Sequence, residues 1–298
     1  MPKEKLLITI PAYNEEKTLG AVLKEIHSEM KKAGYDYEIH VIDDGSADRT
    51  SEVAVSGGAK VISHPVNLGL AESFRTEMQH ALKSDADIIV HTDADGQYKA
   101  SEIAKLVEPI VKRQADLVLG SRFRGKIQSM PFLKRFGNRA FSRVISKITM
   151  VRISDAQTGF RAFRKALAHI DIISNFTYTQ EQIIKAARRK YRIMEVPIYF
   201  AVRGANTKSR LMKNPIDFAM KAGINLLRIY RDYRPLWFFG AIGFFFIAIG
   251  LLLGAWIIYT IAATGSAGGI PRVILAGVSL MIGVQILLFG FLADMNAR

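Results

Sequence analysis

Five residues, Asp93-Ala94-Asp95-Gly96-Gln97, follow directly on the apolar run Ile88-Ile89-Val90-His91-Thr92. Carboxylates that alternate along an extended backbone point to opposite faces. Both can reach one ion only where a strand ends and the chain turns, and Gly96 permits such a turn. Two hard carboxylate oxygens suit Mg²⁺ or Mn²⁺, ions that keep waters and complete their shell with phosphate oxygens. A capping aspartate followed by a turn aspartate would leave the same letters, so the surrounding chain has to separate the two readings.

The elements that must position this turn are legible as an alternation. Residues 6–10, 37–42, 59–63, 88–92 and 117–120 are short apolar or β-branched runs. Amphipathic stretches at 16–33, 47–56, 70–83 and 100–113 separate them. The pattern predicts an α/β domain, Rossmann-like, with a mostly parallel sheet and helices on both faces. Ligands of such sheets bind outside the carboxyl ends of the strands. Each predicted strand end carries polar residues: Asn14-Glu15, Asp43-Asp44-Gly45-Ser46, Asp93-Ala94-Asp95 and Ser121-Arg122. Asn14 could also cap the first helix, with Glu15 and Glu16 in its first turn. The G-x-G-x-x-G fingerprint is absent after the first strand, where Pro11-Ala-Tyr-Asn-Glu-Glu16 stands instead; this argues against a nicotinamide enzyme.

Charge and hydropathy divide the chain further. Residues 1–111 hold 12 Lys/Arg against 19 Asp/Glu, and residues 112–234 hold 27 against 7. A basic half of that size fits anionic lipid or a phosphorylated substrate; nucleic acid is disfavoured because no reader motif appears. Residues 235–271 carry no charge, and 235–262 and 272–293 read as two membrane-spanning helices. Arg228, Arg231 and Arg234 flank the first span, so the positive-inside rule predicts a multi-pass cell-membrane protein with a cytoplasmic N-terminal domain. Residues 205–234 place Ile216, Met220, Gly223, Leu227 and Tyr230 at helical spacing, as expected of an amphipathic helix in the membrane interface. The spans also offer a route to a homo-oligomer. No cysteine occurs, which excludes disulfides and thiolate metal sites, and no apolar signal core precedes the first strand.

The motifs Pro11-Ala-Tyr-Asn-Glu15, Val41-Ile-Asp-Asp-Gly-Ser46, Asp93-Ala-Asp-Gly-Gln97, Gly120-Ser-Arg122 and Thr158-Gly-Phe-Arg161 resemble glycosyltransferase family 2, whose fold is GT-A. Within it the chain is similar to the dolichyl- and undecaprenyl-phosphate glycosyltransferases, over residues 5–234 and in its two-span tail. The resemblance implies a catalytic domain at 1–204. It implies that Pro11, Ala12, Tyr13, Asn14, Glu15 and Asp43 hold the nucleotide, and that Asp93, Ala94, Asp95 and Gln97 contact the sugar diphosphate. Asp93, Asp95 and Gln97 would hold the metal, and Asp95 and Arg122 would be catalytic. Arg122, Arg135, Arg139 and Arg203 would face the acceptor phosphate. Gly96 stands where many mannose synthases of this group have leucine, which tilts the expected donor towards a UDP-sugar rather than GDP-mannose.

The chemistry follows from charge. A leaving nucleoside diphosphate must be neutralised, which a divalent ion can do. A phosphate monoester acceptor has a second pKa of about 6 and is largely dianionic at neutral pH, so no catalytic base is needed. Glu181, roughly where a base falls in relatives, is therefore expected to be a helper or a structural residue. Guanidinium groups suit the acceptor phosphate because they fork two donors onto it. Two other classes remain open at this level. A processive polysaccharide synthase would usually carry Gln-x-x-Arg-Trp, yet both tryptophans, Trp237 and Trp256, lie in the tail. A non-catalytic basic membrane adaptor would bind lipid but no nucleotide sugar.

Overall fold

The computed structural model describes residues 4–175, 177–202, 223–224, 227–266 and 269–296. The chain falls into two compact units, 1–213 and 214–298.

In the first unit a seven-stranded sheet has the order β3-β2-β1-β4-β6-β5-β7. The strands are β1 (Lys5–Ala12), β2 (Asp36–Asp43), β3 (Lys60–Ser63), β4 (Ile88–His91), β5 (Leu117–Ile127), β6 (Arg161–Arg164) and β7 (Ile193–Phe200). β1 is buried from Leu6 to Ala12 without alternation, because helices cover both faces of the sheet. The helices are α1 (Leu19–Ala33), α2 (Thr50–Ser56), α3 (Leu70–Lys83), α4 (Ile103–Val111), α5 (Phe132–Thr149) and α6 (Tyr178–Arg188). On α1 the buried residues Leu19, Val22, Leu23, Ile26 and Met30 fall on one stripe, which packs into the core with Ile8, Ile10 and Val90.

All five expected strands and all four expected helical stretches are present, and the sheet is mostly parallel. Two differences bear on the site. β6 runs antiparallel between β4 and β5, pairing His91 with Arg161 and Leu119 with Arg161. β5 continues to Ile127, with a register shift against β7 between Ser121 and Lys126. Ser121 and Arg122 therefore lie within a strand rather than at its end. The apolar run stops at Gly120, but the backbone ladder does not depend on side-chain polarity.

The second unit holds α7 (Pro235–Thr264) and α8 (Ile270–Asn296), each long and apolar enough to cross a membrane. At a 1.5 Å rise per residue each is roughly 40–45 Å long, more than the ~30 Å hydrocarbon core of a bilayer. The two helices pack closely on glycine: a β-carbon on Gly243 would lie 2.7 Å from the Gly283 carbonyl oxygen. Outward faces carry large apolar groups, including Phe244, Leu252 and Tyr259, each at least 70% exposed. Of the expected interfacial segment 205–234, Ile216 and Met220 lie outside the described residues, while 227–233 are helical.

Candidate active site

The carboxyl ends of β1 and β2 are tied together by side-chain to backbone bonds. Pro11 and Ala12 pair with Ile42 and Asp43. Asn14 has a left-handed backbone, φ 53°. Its Oδ1 accepts from Ala47 N at 2.8 Å, and its own N–H donates to Ser46 Oγ at 2.9 Å. Glu15 N donates to Thr50 Oγ1 at 2.9 Å. Asp43 is buried and accepts from Ser46 N at 3.1 Å and from the Ser51 hydroxyl. The expected capping role of Asn14 is not realised, since α1 begins at Leu19 and Asn14 instead fixes the β2–α2 loop. The result is a rigid polar shelf beside Tyr13, which is 36% exposed. Asp44, given no role by sequence, holds the next loop through Leu68 N (2.9 Å), Gly69 N (2.8 Å) and His64 Nδ1 (2.7 Å).

The acidic turn stands next on the same edge. β4 ends at His91, and Gly96 turns the chain with φ 72°. Asp95 is 8% exposed and accepts from Gln97 N at 3.0 Å, closing an Asx turn. Asp93 is half-buried and Ala94 buried. Because β6 is antiparallel, its leading segment Thr158-Gly-Phe160 arrives at this edge. A β-carbon on Gly159 would meet Asp93 Oδ1 at 3.0 Å, so the carboxylate rests on bare backbone. Tyr98 stacks on Phe160 and its hydroxyl accepts from Gly159 N at 3.3 Å. Burial pushes the Tyr98 phenol up to about 12, with Arg122 opposing, so it stays protonated at neutral pH.

Among the described residues no cluster of three or more His, Cys, Asp or Glu is placed to hold a metal. Two hard carboxylates and one amide oxygen still fit an ion that takes its remaining oxygens from a substrate diphosphate and water. The Gln97 amide nitrogen donates to Ala201 O at 3.1 Å, so its oxygen is the atom that would face an ion.

Arg122, expected to face the acceptor phosphate, is buried and partly committed within the protein. It is 5% exposed and forks onto Asp155, with Nε to Oδ2 at 2.7 Å and Nη2 to Oδ1 at 2.8 Å, while it lies over the Phe200 ring. Asp155 N donates in turn to Glu195 Oε1 at 2.9 Å, which also accepts from Ser154 N. Two of the five Arg122 donors are thereby committed, which fixes the direction of the rest. Burial raises the Glu195 carboxyl above its ordinary range, against the bonds from Asp155 and Ser154. Arg161, fully buried, donates to the carbonyls of Thr158 and Thr179 and to Gln182 Oε1. Burial lowers it to about 10, leaving it charged at neutral pH.

Arg135 and Arg139 are exposed on α5, Arg139 over the Phe123 ring at 5.3 Å; Arg203 lies outside the described residues. Glu181 accepts from Ile173 N (3.0 Å) and Ser174 N (2.8 Å) and pairs with Lys185 at 2.7 Å. Those bonds give it a structural task. Sequence reasoning missed Asp155, Glu195, Tyr98 and Gly159. Only the Thr158-Gly-Phe-Arg161 motif, recognised but given no role, pointed to any of them.

Comparison with known proteins places this arrangement. A family model described as glycosyl transferase family 2 matches residues 7–170. The chain is 34% identical over 202 residues to a dolichyl-phosphate hexose transferase of Haloferax volcanii, covering 67% of this chain and 84% of that one. It is 30% identical over 223 residues to a UDP-N-acetylglucosamine–dolichyl-phosphate N-acetylglucosaminyltransferase of Methanococcus voltae, covering 66% and 86%. Among solved structures, glucosyl-3-phosphoglycerate synthase from Mycobacterium tuberculosis superposes with a TM-score of 0.58 at 20% identity, covering 76% of this chain and 79% of that one. That likeness establishes the GT-A-like fold.

Proposed function

The chain belongs to glycosyl transferase family 2, and from that premise we propose that it moves one sugar from a nucleotide-diphosphate sugar to a polyprenyl phosphate, dolichyl or undecaprenyl. The observation that carries this reading is the Asp93–Asp95 turn seated on Gly159 at the edge of the sheet, in a chain that also bears two long apolar helices. Relatives named for transfer to dolichyl phosphate support the acceptor class.

In this reading the shelf of Pro11 to Glu15 and Asp43 seats the nucleoside. Asp93, Asp95 and the Gln97 oxygen would hold a divalent ion, Mg²⁺ or Mn²⁺, whose chemistry is to offset charge on the departing diphosphate. An acceptor phosphate oxygen forms the bond to the anomeric carbon as the bond to the diphosphate breaks, from the opposite face, which inverts the configuration. The attacking oxygen carries no proton at neutral pH, so no base takes part. Arg122, oriented by Asp155, offers its remaining donors to the anionic acceptor, with Arg135, Arg139 and Arg203 as further cations. A UDP-sugar donor is favoured over GDP-mannose by Gly96 and by the name of the Methanococcus relative. The helices α7 and α8 anchor the enzyme beside its lipid acceptor, with residues 1–204 as catalytic domain on the cytoplasmic side, where Arg228, Arg231 and Arg234 would hold it.

Transfer of labelled sugar from UDP- and GDP-sugars to polyprenyl phosphate, in detergent and with either metal, tests the proposal. Asp93→Ala and Asp95→Ala should each abolish transfer in protein that still folds. Undiminished transfer by both variants, or full activity after chelation, would sink the metal assignment.

A further inference from the structure

One face of α5 carries Arg135 and Arg139, assigned above to the acceptor, beside exposed groups that the site does not use. The helix seats Phe141, Ile145 and Ile148 in the domain. Its opposite stripe exposes Phe132 (84%) and Phe136 (60%), and Met150, just past its end, is 82% exposed. The exposed side chains between them are Arg135, Arg139, Arg143 and Lys147. A solvated helix puts polar residues outward and large apolar ones inward, so this stripe departs from the usual pattern at both ends. Its charge has one sign only: residues 117–154 hold nine Lys/Arg and no Asp/Glu.

We propose that this stripe is a bilayer-docking face, with its cations on anionic headgroups and Phe132, Phe136 and Met150 at the boundary between headgroups and acyl chains. Exposed aromatic and thioether groups interleaved with cations, and no anion among them, is the composition that partitions into a membrane interface. The competing occupant within the chain, residues 205–234, is itself basic, with seven Lys/Arg against two Asp/Glu. Like charge disfavours that pairing, whereas an anionic bilayer complements it. The proposal rests on the reading of the chain as a membrane enzyme and adds a second contact with the lipid, on the catalytic domain itself.

The chain contains no cysteine, so single-cysteine variants carry a single label. Full-length Phe136→Cys and Met150→Cys, each bearing an environment-sensitive fluorophore, are reconstituted in nanodiscs of phosphatidylglycerol containing brominated lipid. Both should be quenched. Leu252→Cys, outward on α7, should be quenched as the reporter of insertion, and Val55→Cys, exposed on α2, should not. Arg143→Gln with Lys147→Gln, which spares the residues assigned to the acceptor, should weaken contact of the label at position 136 by roughly fivefold per cation removed. Neutral lipid should do the same. Quenching at Leu252→Cys without quenching at positions 136 and 150 overturns the docking face and leaves the membrane reading intact. No quenching at Leu252→Cys overturns both. Quenching at position 136 that is indifferent to lipid charge and to the double variant overturns the proposal as an electrostatic docking face.

Discussion

Asp155 lies at 0% exposure between a buried guanidinium and a buried carboxylate, and both depend on it. Its side chain takes the Arg122 fork, and its N–H goes to Glu195. Breaking one partner of such a pair strands the other charge and costs about 3–5 kcal/mol. We predict that Asp155→Asn lowers the melting temperature by roughly 10 °C and also weakens acceptor binding, because Arg122 loses its direction. A melting temperature equal to that of the wild type would show that the pair is not buried in solution. Glu195 makes a prediction in pH. Its folded pKa lies above the unfolded one, so between those values the folded state holds the extra proton. Stability therefore falls as pH rises through that window, and the penalty is complete above the folded pKa. Glu195→Gln keeps the acceptor for Ser154 and Asp155 N–H and should flatten the fall. Melting curves from pH 4 to 8 for both proteins read it directly; equal slopes would contradict the assignment. At this scale the sequence singled out Asp93, Asp95 and Arg122 as residue types able to handle a metal or a phosphate, and the fold brings the acidic pair to the carboxyl end of β4 and buries Arg122 within β5. The sequence could not name Asp155 or Glu195. Their role is a contact across 33 and 40 residues of chain, and no local pattern marks it.

Element by element, the site is made by one strand running against the rest. β4 delivers the acidic turn at its carboxyl end, and antiparallel β6 brings Gly159 to the same place at its amino end. Gly159→Ala should therefore push the Asp93 carboxylate by a few tenths of an ångström while leaving the sheet paired. Small displacements of a positioned group cost up to about a hundredfold in rate. We predict a ten- to hundredfold loss of kcat/KM for Gly159→Ala, with a thermal midpoint within about 3 °C of the wild type. Activity near that of the parent would mean the carboxylate does not rest on this backbone during turnover. Most of the four helical stretches and five strands between residues 6 and 120 were legible because they bury a periodic or continuous apolar face; β3, whose Val61 and Ile62 are only partly buried, was marked by its β-branched residues. β6 and β7 were not identified as strands. Arg161-Ala-Phe-Arg164 is four residues with arginine at both ends, a pattern that only its pairing with β4 and β5 makes a strand.

For the whole molecule, the division into two units yields a test of why the tail is there. A chain ending at Arg234 keeps every residue of the sheet. It should still bind a nucleotide sugar with metal, seen as a thermal shift. It should lose membrane association, and its transfer to a long polyprenyl phosphate should fall by an order of magnitude or more, while transfer to a short soluble analogue should fall less. Equal loss on both acceptors would point to a structural role for the tail instead. Composition and local periodicity determined the large divisions: an acidic first third, a basic middle, an apolar tail whose only charged residues are Arg272, Asp294 and Arg298, and an α/β alternation. These are local quantities, since burial of a strand or span imprints its period on the letters themselves. Tertiary structure alone decided which donors remain for a ligand. Arg122 reads in the sequence as facing an acceptor phosphate and in the fold has two of its five donors on Asp155, and Asn14 reads as a possible helix cap and instead pins the neighbouring loop. The reason is physical: hydrogen-bond capacity is shared among whatever groups the fold brings within 3 Å, and a sequence does not show which groups those are.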